Sequence, residues 1–301
     1  MGRLFSKDGI STIMPNGDES RPEKILKRFA SKWIAGDTLE QAIERAKKSN
    51  KIGVQGIINL LGEHAESILM TERAVIEYLQ ILDAIAEDKV LASISVKPSQ
   101  VGISIDRKLC EENFIRLLDA AQKLKIFVWI DMESSQYTEE TLDLYKTLKS
   151  RYDNVGIALQ AYLKRSEKDL ESLLAIDGKV RLCKGAYRES NDVMVGHHEQ
   201  IGENYEELMK LLFEKGNNFA IATHDSSLIE EAKVLSKQYK RNFEFQMLMG
   251  VRENLKSRLV QEGFIVANYI PYGRKWLAYT VRRLIERKRN IILIFRSLFA
   301  R

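Results

Sequence analysis

The amino-acid sequence predicts an α/β protein, a closed (β/α)8 barrel of the TIM-barrel type. Eight short apolar runs rich in β-branched residues alternate with amphipathic helical segments, a pattern that predicts parallel strands joined by helices. The chain has 301 residues, an ordinary length for one such barrel. Polar side chains gather where the apolar runs end, which is the edge at which these barrels carry their active sites.

The predicted strands are spaced so that a helix fits between each pair. They span residues 53–60, 90–97, 126–132, 155–160, 180–184, 219–224, 243–248 and 264–270. Helical patterns such as residues 71–88 and 110–124 are long enough for the right-handed crossover that parallel strands require. We expect a partly ordered, helical N-terminal arm over residues 1–30. A single barrel domain is expected over residues 31–301, with its C-terminal helix over the barrel mouth.

The composition is typical of a folded, helix-rich protein. Hydrophobic residues make up 45% of the chain and charged residues 30%, with only 4 prolines, which excludes a disordered chain. The 47 basic and 42 acidic residues are interspersed, so the net charge of +5 describes a solvated surface, and we expect no nucleic-acid partner. Neither a G-x-G-x-x-G nor a P-loop motif is present, which argues against a Rossmann or P-loop nucleotide site.

The sequence favours a cytoplasmic protein. Cys110 and Cys183 are too far apart in the sequence to suggest a metal or disulfide motif. No signal peptide is visible, and no apolar run approaches the ~18 residues of a membrane span. Residues 282–301 carry seven basic residues and one acidic residue among Ile, Leu and Phe. This segment either packs on the barrel as a terminal helix or contacts the inner face of the cell membrane.

Polar residues converge on the C-terminal ends of the predicted strands. They are Glu63, Lys97, Asp131, Gln160, Arg181, Lys184, Thr223, His224, Asp225, Gln246 and Tyr269. A packed core would place apolar side chains there, so the convergence predicts a site at the barrel mouth. Arg181 and Lys184 would suit a phosphate-bearing cofactor or a reducible ring that gains negative charge. Hydride chemistry would require such a cofactor, because protein side chains do not accept a hydride.

A second constellation follows the last strand. Tyr279, Arg282, Arg283 and Glu286 are spaced to share one helix face. If this helix lies over the barrel mouth, its two guanidinium groups would bind a small carboxylate with bidentate geometry. An exposed basic face balanced by Glu286 explains the same spacing, and the residues alone leave both interpretations open.

Three other functions fit some of these residues. Lys97 or Lys184 would serve as the Schiff-base lysine of an aldolase. His224 and Asp131 would be ligands in a barrel metallohydrolase, although the chain has four histidines and no H-x-H at a strand end, so we expect no metal. A non-catalytic amino-acid-binding protein is the third alternative.

Eight segments in order resemble the proline dehydrogenase family, especially its short monofunctional bacterial and archaeal members. They are NLLGEHAES, SISVKPSQVG, WIDMESSQYT, GIALQAYLKRSEKDL, VRLCKGAYRES, ATHD, FEFQMLMGVR and YIPYGRKWLAYTVRRLIER. The resemblance runs from about Trp33 to Asn290. Each segment is weak evidence alone, but eight in family order are specific, and they favour the arginine clamp over the exposed basic face.

The resemblance implies roles for individual residues. Asp131 and Arg181 are expected to be catalytic, and Arg181 to lie near flavin N5. Substrate would be bound by Lys97, Tyr269, Tyr279, Arg282 and Arg283, with Glu63 pairing with the first arginine of the clamp. FAD would be held by Met132, Gln160, Arg181, Lys184, Gly185, Ala186, Thr223 and His224, and Tyr187 and Glu286 would lie nearby.

The resemblance also implies a reaction and its partners. The family oxidises L-proline to Δ1-pyrroline-5-carboxylate by hydride transfer to flavin N5, the first step of proline catabolism to glutamate. Electrons in this family pass to a quinone in the membrane, and contact between the basic C-terminal segment and the membrane would bring the enzyme to this acceptor. A separate pyrroline-5-carboxylate dehydrogenase is expected to act next, because 301 residues leave no room for a second catalytic domain.

Overall fold

The computed structural model describes residues 30–277, 279 and 280. Eight parallel strands close into a barrel in chain order, with β8 hydrogen-bonded to β1. The strands are β1 (Gln55–Leu60), β2 (Ala92–Val96), β3 (Val128–Ile130), β4 (Val155–Gln160), β5 (Lys179–Cys183), β6 (Asn218–Ala222), β7 (Asn242–Leu248) and β8 (Ile265–Tyr272). The predicted (β/α)8 fold is confirmed.

Each predicted strand coincides with one observed strand, and no end differs by more than two residues. β4 has both of its predicted ends, whereas β3 and β6 stop earlier than predicted. Asp131, Met132, Thr223 and His224 therefore lie in loops rather than on strands, and Lys97 follows β2. These strands end early because the chain leaves the sheet at the mouth. Residue type alone does not identify the last residue of a strand.

Eight described helices surround the strands. They are α1 (Leu39–Asn50), α2 (Ile68–Glu87), α3 (Arg107–Lys123), α4 (Thr138–Lys149), α5 (Ser166–Leu174), α6 (His198–Lys215), α7 (Ser226–Tyr239) and α8 (Glu253–Gln261). A further helix begins at Trp276. None of the described helices is long and apolar enough to cross a membrane. Residues 1–29, Ala278 and residues 281–301, including most of the predicted arm and C-terminal helix, lie outside the described residues.

α2 illustrates how local sequence forms these helices. Ser67 caps its first turn by accepting a hydrogen bond from the Met70 amide at 3.3 Å, which satisfies an amide that has no partner within the helix. Val75, Tyr78 and Leu82 then recur at helical spacing and are fully buried. Their burial against the outside of the barrel provides the main stabilisation, since each large apolar side chain contributes about 1.5–3 kcal/mol.

The inside of the barrel is more polar than its outside. Side chains alternate between the two faces of each strand, and the apolar cluster inside is small: Ile57, Trp129, Ala220 and Ala267 are its buried members. Charged side chains lie on both sides of this cluster along the barrel axis. Arg181 and Asp131 lie toward the mouth, whereas Lys179 begins β5 at the opposite end, which we call the base.

A small apolar cluster fastens the start of the described chain to the mouth. Its buried members are Ala30, Trp33, Ile34, Leu61, Val251 and Tyr279. The Ala35 amide donates to the Pro271 carbonyl at 2.8 Å, beside the end of β8. Gly250, with a φ of +73°, lies so close to Lys32 that a Cβ at this position would be 1.7 Å from the Lys32 carbonyl oxygen. Only glycine allows this approach.

Candidate active site

Asp131 is the centre of a buried polar cluster at the mouth. Its Oδ1 accepts hydrogen bonds from Arg181 Nη1 at 2.7 Å and Ser95 Oγ at 2.6 Å. Its Oδ2 accepts from the Tyr269 hydroxyl at 2.7 Å and from Lys97 Nζ at 3.4 Å. Strand parity and barrel closure bring these groups together: Ser95, Arg181 and Tyr269 lie on β2, β5 and β8, and Lys97 and Asp131 directly follow β2 and β3.

The positive charges of Lys97 and Arg181 keep Asp131 ionised. Burial by itself would raise the pKa of Asp131, but Lys97 and Arg181 outweigh burial and hold that pKa below its ordinary value. Burial would likewise lower the pKa of Lys97, but Asp131 is the chief opposing charge and leaves that pKa above its ordinary value. One carboxylate therefore faces two cations, and the resulting single positive charge suits an anionic ligand or a cofactor that gains negative charge.

Arg181 lies against two aromatic rings. Its guanidinium carbon lies 4.6 Å from the centroid of the Trp129 ring and 5.7 Å from that of Tyr269. Nη1 is fully used by Asp131 and Ser95. Nε and Nη2 are buried and have no hydrogen-bond partner among the described residues. The N–H groups on these two nitrogens are therefore not satisfied by the described residues.

Two buried amide oxygens, one on β4 and one on β7, are acceptors that complement these donors. Gln160 Oε1 and Gln246 Oε1 are buried and, within the described part of the chain, accept no hydrogen bond. Their amide nitrogens are fixed: Gln160 donates to the Met132 carbonyl at 3.5 Å, and Gln246 donates to Glu244. Buried acceptors without partners are costly, so these positions fit a ligand that presents donors and acceptors together.

The loops after β5 and β6 bring the next predicted cofactor residues together. Lys184 Nζ lies 3.1 Å from Asp225 Oδ2, and Thr223 Oγ1 accepts from the Asp225 amide at 3.1 Å. His224 Nε2 accepts from the Leu248 amide at 2.8 Å, which leaves the ring proton on Nδ1. Sequence reasoning gave Asp225 no binding role, yet it fixes Lys184.

The turn after β5 requires a glycine. Gly185 has a φ of +109°, and a Cβ there would be 2.0 Å from the Tyr162 ring. Ala186 follows in an exposed position. The loop is then held by Glu189, whose carboxylate accepts from the Ser135 amide at 2.7 Å and hydroxyl at 2.6 Å.

Similar serine–glutamate bonds fasten the loops after the first three strands. Ser99 Oγ accepts from the His64 amide at 3.0 Å. The Ser99 amide and hydroxyl donate to the buried carboxylate of Glu133 at 2.8 and 2.6 Å. The sequence carried a signal for these bonds, because Ser and Glu recur just after the strand ends in KPS, MESS and YRES. These bonds stabilise the loops that hold Lys97 and Asp131.

The remaining predicted substrate residues divide into two groups. Tyr279 is buried in the apolar cluster of Trp33 and Val251, and Tyr269 lies in the Asp131 cluster. Arg282, Arg283 and Glu286 lie outside the described residues. Glu63, the predicted partner of the first clamp arginine, accepts a hydrogen bond from the Tyr187 hydroxyl at 3.3 Å.

Comparison with known proteins identifies the family. The family model described as proline dehydrogenase matches residues 42–291. The chain belongs to the proline dehydrogenase family. It is 36% identical over 298 residues to "Proline dehydrogenase 2" of Bacillus subtilis strain 168, covering 98% of this chain and 96% of that protein. It is 32% identical to "Proline dehydrogenase" of Deinococcus radiodurans, covering 98% of each. Family membership confirms the predicted enzyme class.

A solved structure shares the proline dehydrogenase fold. The crystal structure of proline utilization A from Bdellovibrio bacteriovorus, inactivated by N-propargylglycine, matches 91% of this chain with a TM-score of 0.82 and 25% identity. The match covers 34% of that protein, so the present chain spans about a third of its length. The likeness therefore concerns the barrel.

Two residues of the cluster at the mouth were not singled out from the sequence. Ser95 bonds both Asp131 and Arg181, and Trp129 stacks on Arg181. Both lie two residues before a predicted site residue, Lys97 and Asp131 respectively. Because inward-facing positions repeat every two residues, this parity was the signal that could have found them.

The geometry of the described residues does not favour the Schiff-base aldolase or the metallohydrolase. A Schiff-base lysine needs a lowered pKa, whereas the pKa of Lys97 is raised and Lys184 is paired with Asp225. The described residues contain no group of three or more His, Cys, Asp or Glu side chains able to hold a metal. His224 also uses Nε2 to accept a backbone hydrogen bond.

Asp225 provides a pH-dependent test of the Lys184 loop. Hydrogen bonds from Ser227, followed by the ion pair with Lys184, lower the pKa of Asp225 to about 2. Because the folded pKa lies below the unfolded value of about 3.9, the stabilisation is present above pH 4 and is lost as the pH falls toward 2.

Asp225→Asn should therefore be less stable than the wild type at pH 7 and equally stable near pH 2 in urea unfolding. Asp225→Ala, which also loses the helix cap, should cost about 1 kcal/mol more. A pH-independent difference between wild type and Asp225→Asn would contradict the assignment.

Proposed function

We propose that this protein oxidises L-proline to Δ1-pyrroline-5-carboxylate with FAD as its cofactor. The observation that carries the proposal is Arg181: it is oriented by Asp131 and Ser95, is stacked on Trp129, and retains two buried donors without partners among the described residues. Such preorganised donors stabilise negative charge as it develops on a bound group. The family match supplies proline as the substrate class.

The chemistry of the mouth fits a flavin. The ring edge of a flavin alternates hydrogen-bond donors and acceptors, and the mouth offers the donors of Arg181 and the acceptors of Gln160 and Gln246. Lys184 would provide a cation for the phosphates. The residues that would hold FAD are Met132, Gln160, Arg181, Lys184, Gly185, Ala186, Thr223 and His224. When bound, FAD would accept hydride from proline C5 at its N5 atom.

The side chains themselves would bind and orient the substrate. Arg282 and Arg283 are proposed to clamp the proline carboxylate, and Tyr269 and Tyr279 to pack against the ring. Both oxygens of Asp131 are already engaged, so Asp131 acts by fixing Arg181, Lys97 and Tyr269 rather than by accepting the amine proton. Holding the reacting atoms in line can supply about 7–11 kcal/mol of the barrier.

The later fate of product and electrons follows from the same proposal. Electrons would pass to a membrane quinone, and the basic, apolar composition of residues 282–301 supports a peripheral contact with the membrane. A separate pyrroline-5-carboxylate dehydrogenase would complete the oxidation to glutamate.

The deciding experiment is a visible spectrum of the purified protein before and after anaerobic addition of L-proline. We expect a yellow protein whose flavin absorbance bleaches with proline and returns with a quinone analogue. A colourless protein that gains no absorbance with FAD and leaves proline unoxidised would overturn the proposal. Borohydride trapping of substrate on Lys97 or Lys184 would favour the aldolase, and proline binding without turnover would favour the binding protein.

A further inference from the structure

A second cavity lies at the base of the barrel, at the opposite end from the mouth. Its volume is about 150 Å³. Its lining residues come mostly from the first inward positions of the strands: Gln55, Ser93, Phe127, Trp129, Lys179, Asn218, Phe219, Glu244 and Ala267. One water needs roughly 15 Å³ of such space, whereas drug-sized ligands need about 300 Å³ or more. The cavity is therefore the right size for a small metabolite.

The roof of this base cavity separates it from the mouth. Trp129 lines the cavity and is 5% exposed. Arg181 stacks on the same ring, with its guanidinium carbon 4.6 Å from the centroid, and is directed by Asp131 to the mouth cluster. A ligand in the base cavity would thus contact the ring that supports Arg181 without entering the mouth.

One cation and one carboxylate line the cavity and attract each other electrostatically, but they do not form an ion pair. Lys179 Nζ lies 4.7 Å from the centroid of the Phe127 ring and forms no ion pair with any residue in the described chain. Glu244 accepts a hydrogen bond from Gln246 and, among the same residues, has no cationic partner at ion-pair distance. Burial shifts the pKa of Lys179 downward and that of Glu244 upward. Each charge is therefore partly desolvated and would be stabilised by a ligand charge of opposite sign.

The strand order keeps these two charges apart. Lys179 is on β5 and Glu244 is on β7, with β6 between them. Two strand spacings separate the backbones by about 10 Å. The inward-pointing side chains shorten this gap without reaching ion-pair distance, and Phe127, Trp129 and Phe219 offer apolar contact to a ligand in the cavity.

We propose that the base cavity binds a small zwitterion, with its carboxylate on Lys179 and its ammonium group on Glu244. The ligand class follows from the described lining residues: a single cation on β5 and a single carboxylate on β7, two strands apart, with aromatic surface beside them. The proposal does not rest on the proposed oxidation at the mouth.

The test uses amino acids of increasing charge separation. Glycine, β-alanine, 4-aminobutyrate and 6-aminohexanoate are titrated into the purified full-length protein by isothermal calorimetry, with butyrate and butylamine as singly charged controls. We expect one member of the series to bind at least about tenfold more tightly than either control, a difference of about 1.4 kcal/mol. No binding at millimolar concentration, or equal binding of a singly charged control, would overturn the proposal.

Matched variants locate the binding. Lys179→Met keeps the apolar stem against Phe127, and Glu244→Gln keeps an acceptor for Gln246. Both should weaken the best ligand at least about tenfold, while Lys108→Met, on the exposed side of α3 with 82% of its side chain accessible, should leave affinity unchanged. Unchanged affinity in either cavity variant would contradict the two-point contact. If a variant fails to fold, a crystal of the wild-type protein soaked with the best ligand decides: density between Lys179 and Glu244 supports the site, and its absence there refutes it.

Discussion

Asp131→Asn should lower kcat/KM for proline by at least about 100-fold, the loss seen when one preorganised hydrogen-bonding group is removed from an active site. The carboxylate orients Arg181, Lys97 and Tyr269 together, and an amide cannot accept from all of them or balance their charge. Breaking a buried ion pair on one side should also cost about 3–5 kcal/mol of unfolding free energy. Steady-state kinetics and urea unfolding measure the two effects.

Asp143→Asn is the matched control for this change. Asp143 also pairs with an arginine, Arg107 at 3.8 Å, but both side chains are nearly half exposed. Exposed ion pairs contribute about 0–1 kcal/mol, so this variant should keep its activity and nearly all of its stability. Similar losses in the two variants, or wild-type kinetics in Asp131→Asn, would show that the mouth cluster does not organise the reaction.

Gly250→Ala should give the second large effect, by displacing the chain segment around Lys32 that packs beside the mouth. A Cβ at residue 250 would lie 1.7 Å from the Lys32 carbonyl oxygen, so the backbone around Trp33 has to move. The positive φ adds about 1–2 kcal/mol of strain, and overpacking adds about 1–3 kcal/mol. Since Trp33 packs in the same cluster as Tyr279, the KM for proline should rise as the unfolding free energy falls.

Gly263→Ala separates strain from collision. Gly263 also has a positive φ, +91°, but no atom lies within 4 Å of the position its Cβ would take. This variant should show only the backbone strain of about 1–2 kcal/mol and an unchanged KM. Equal losses of stability in the two variants would mean that contact with Lys32 contributes nothing, and the proposed role of this cluster at the mouth would then be wrong.

Much of the fold and part of the site could be predicted from local sequence. Strand periodicity and the helical spacers determine eight βα units, and a parallel sheet of eight such units closes into a barrel whose strand ends meet. Lys97, Asp131, Arg181 and Tyr269 were therefore expected at one edge, and the structure brings them together. The last residue of several strands was predicted wrongly, because the end of a strand depends on hydrogen bonding to the neighbouring strands rather than on residue type.

The barrel, the family and the set of polar residues at the mouth could be predicted from the amino-acid sequence. The contacts between these residues could not, and they come from the folded structure: Asp131 bonds to Ser95, Arg181 and Tyr269, Asp225 pairs with Lys184, and Lys179 and Glu244 line one cavity without forming an ion pair. The physical reason is that periodicity fixes the face on which a side chain lies within its own strand. The register and tilt between strands, which arise from closing the whole barrel, fix the neighbour that it meets.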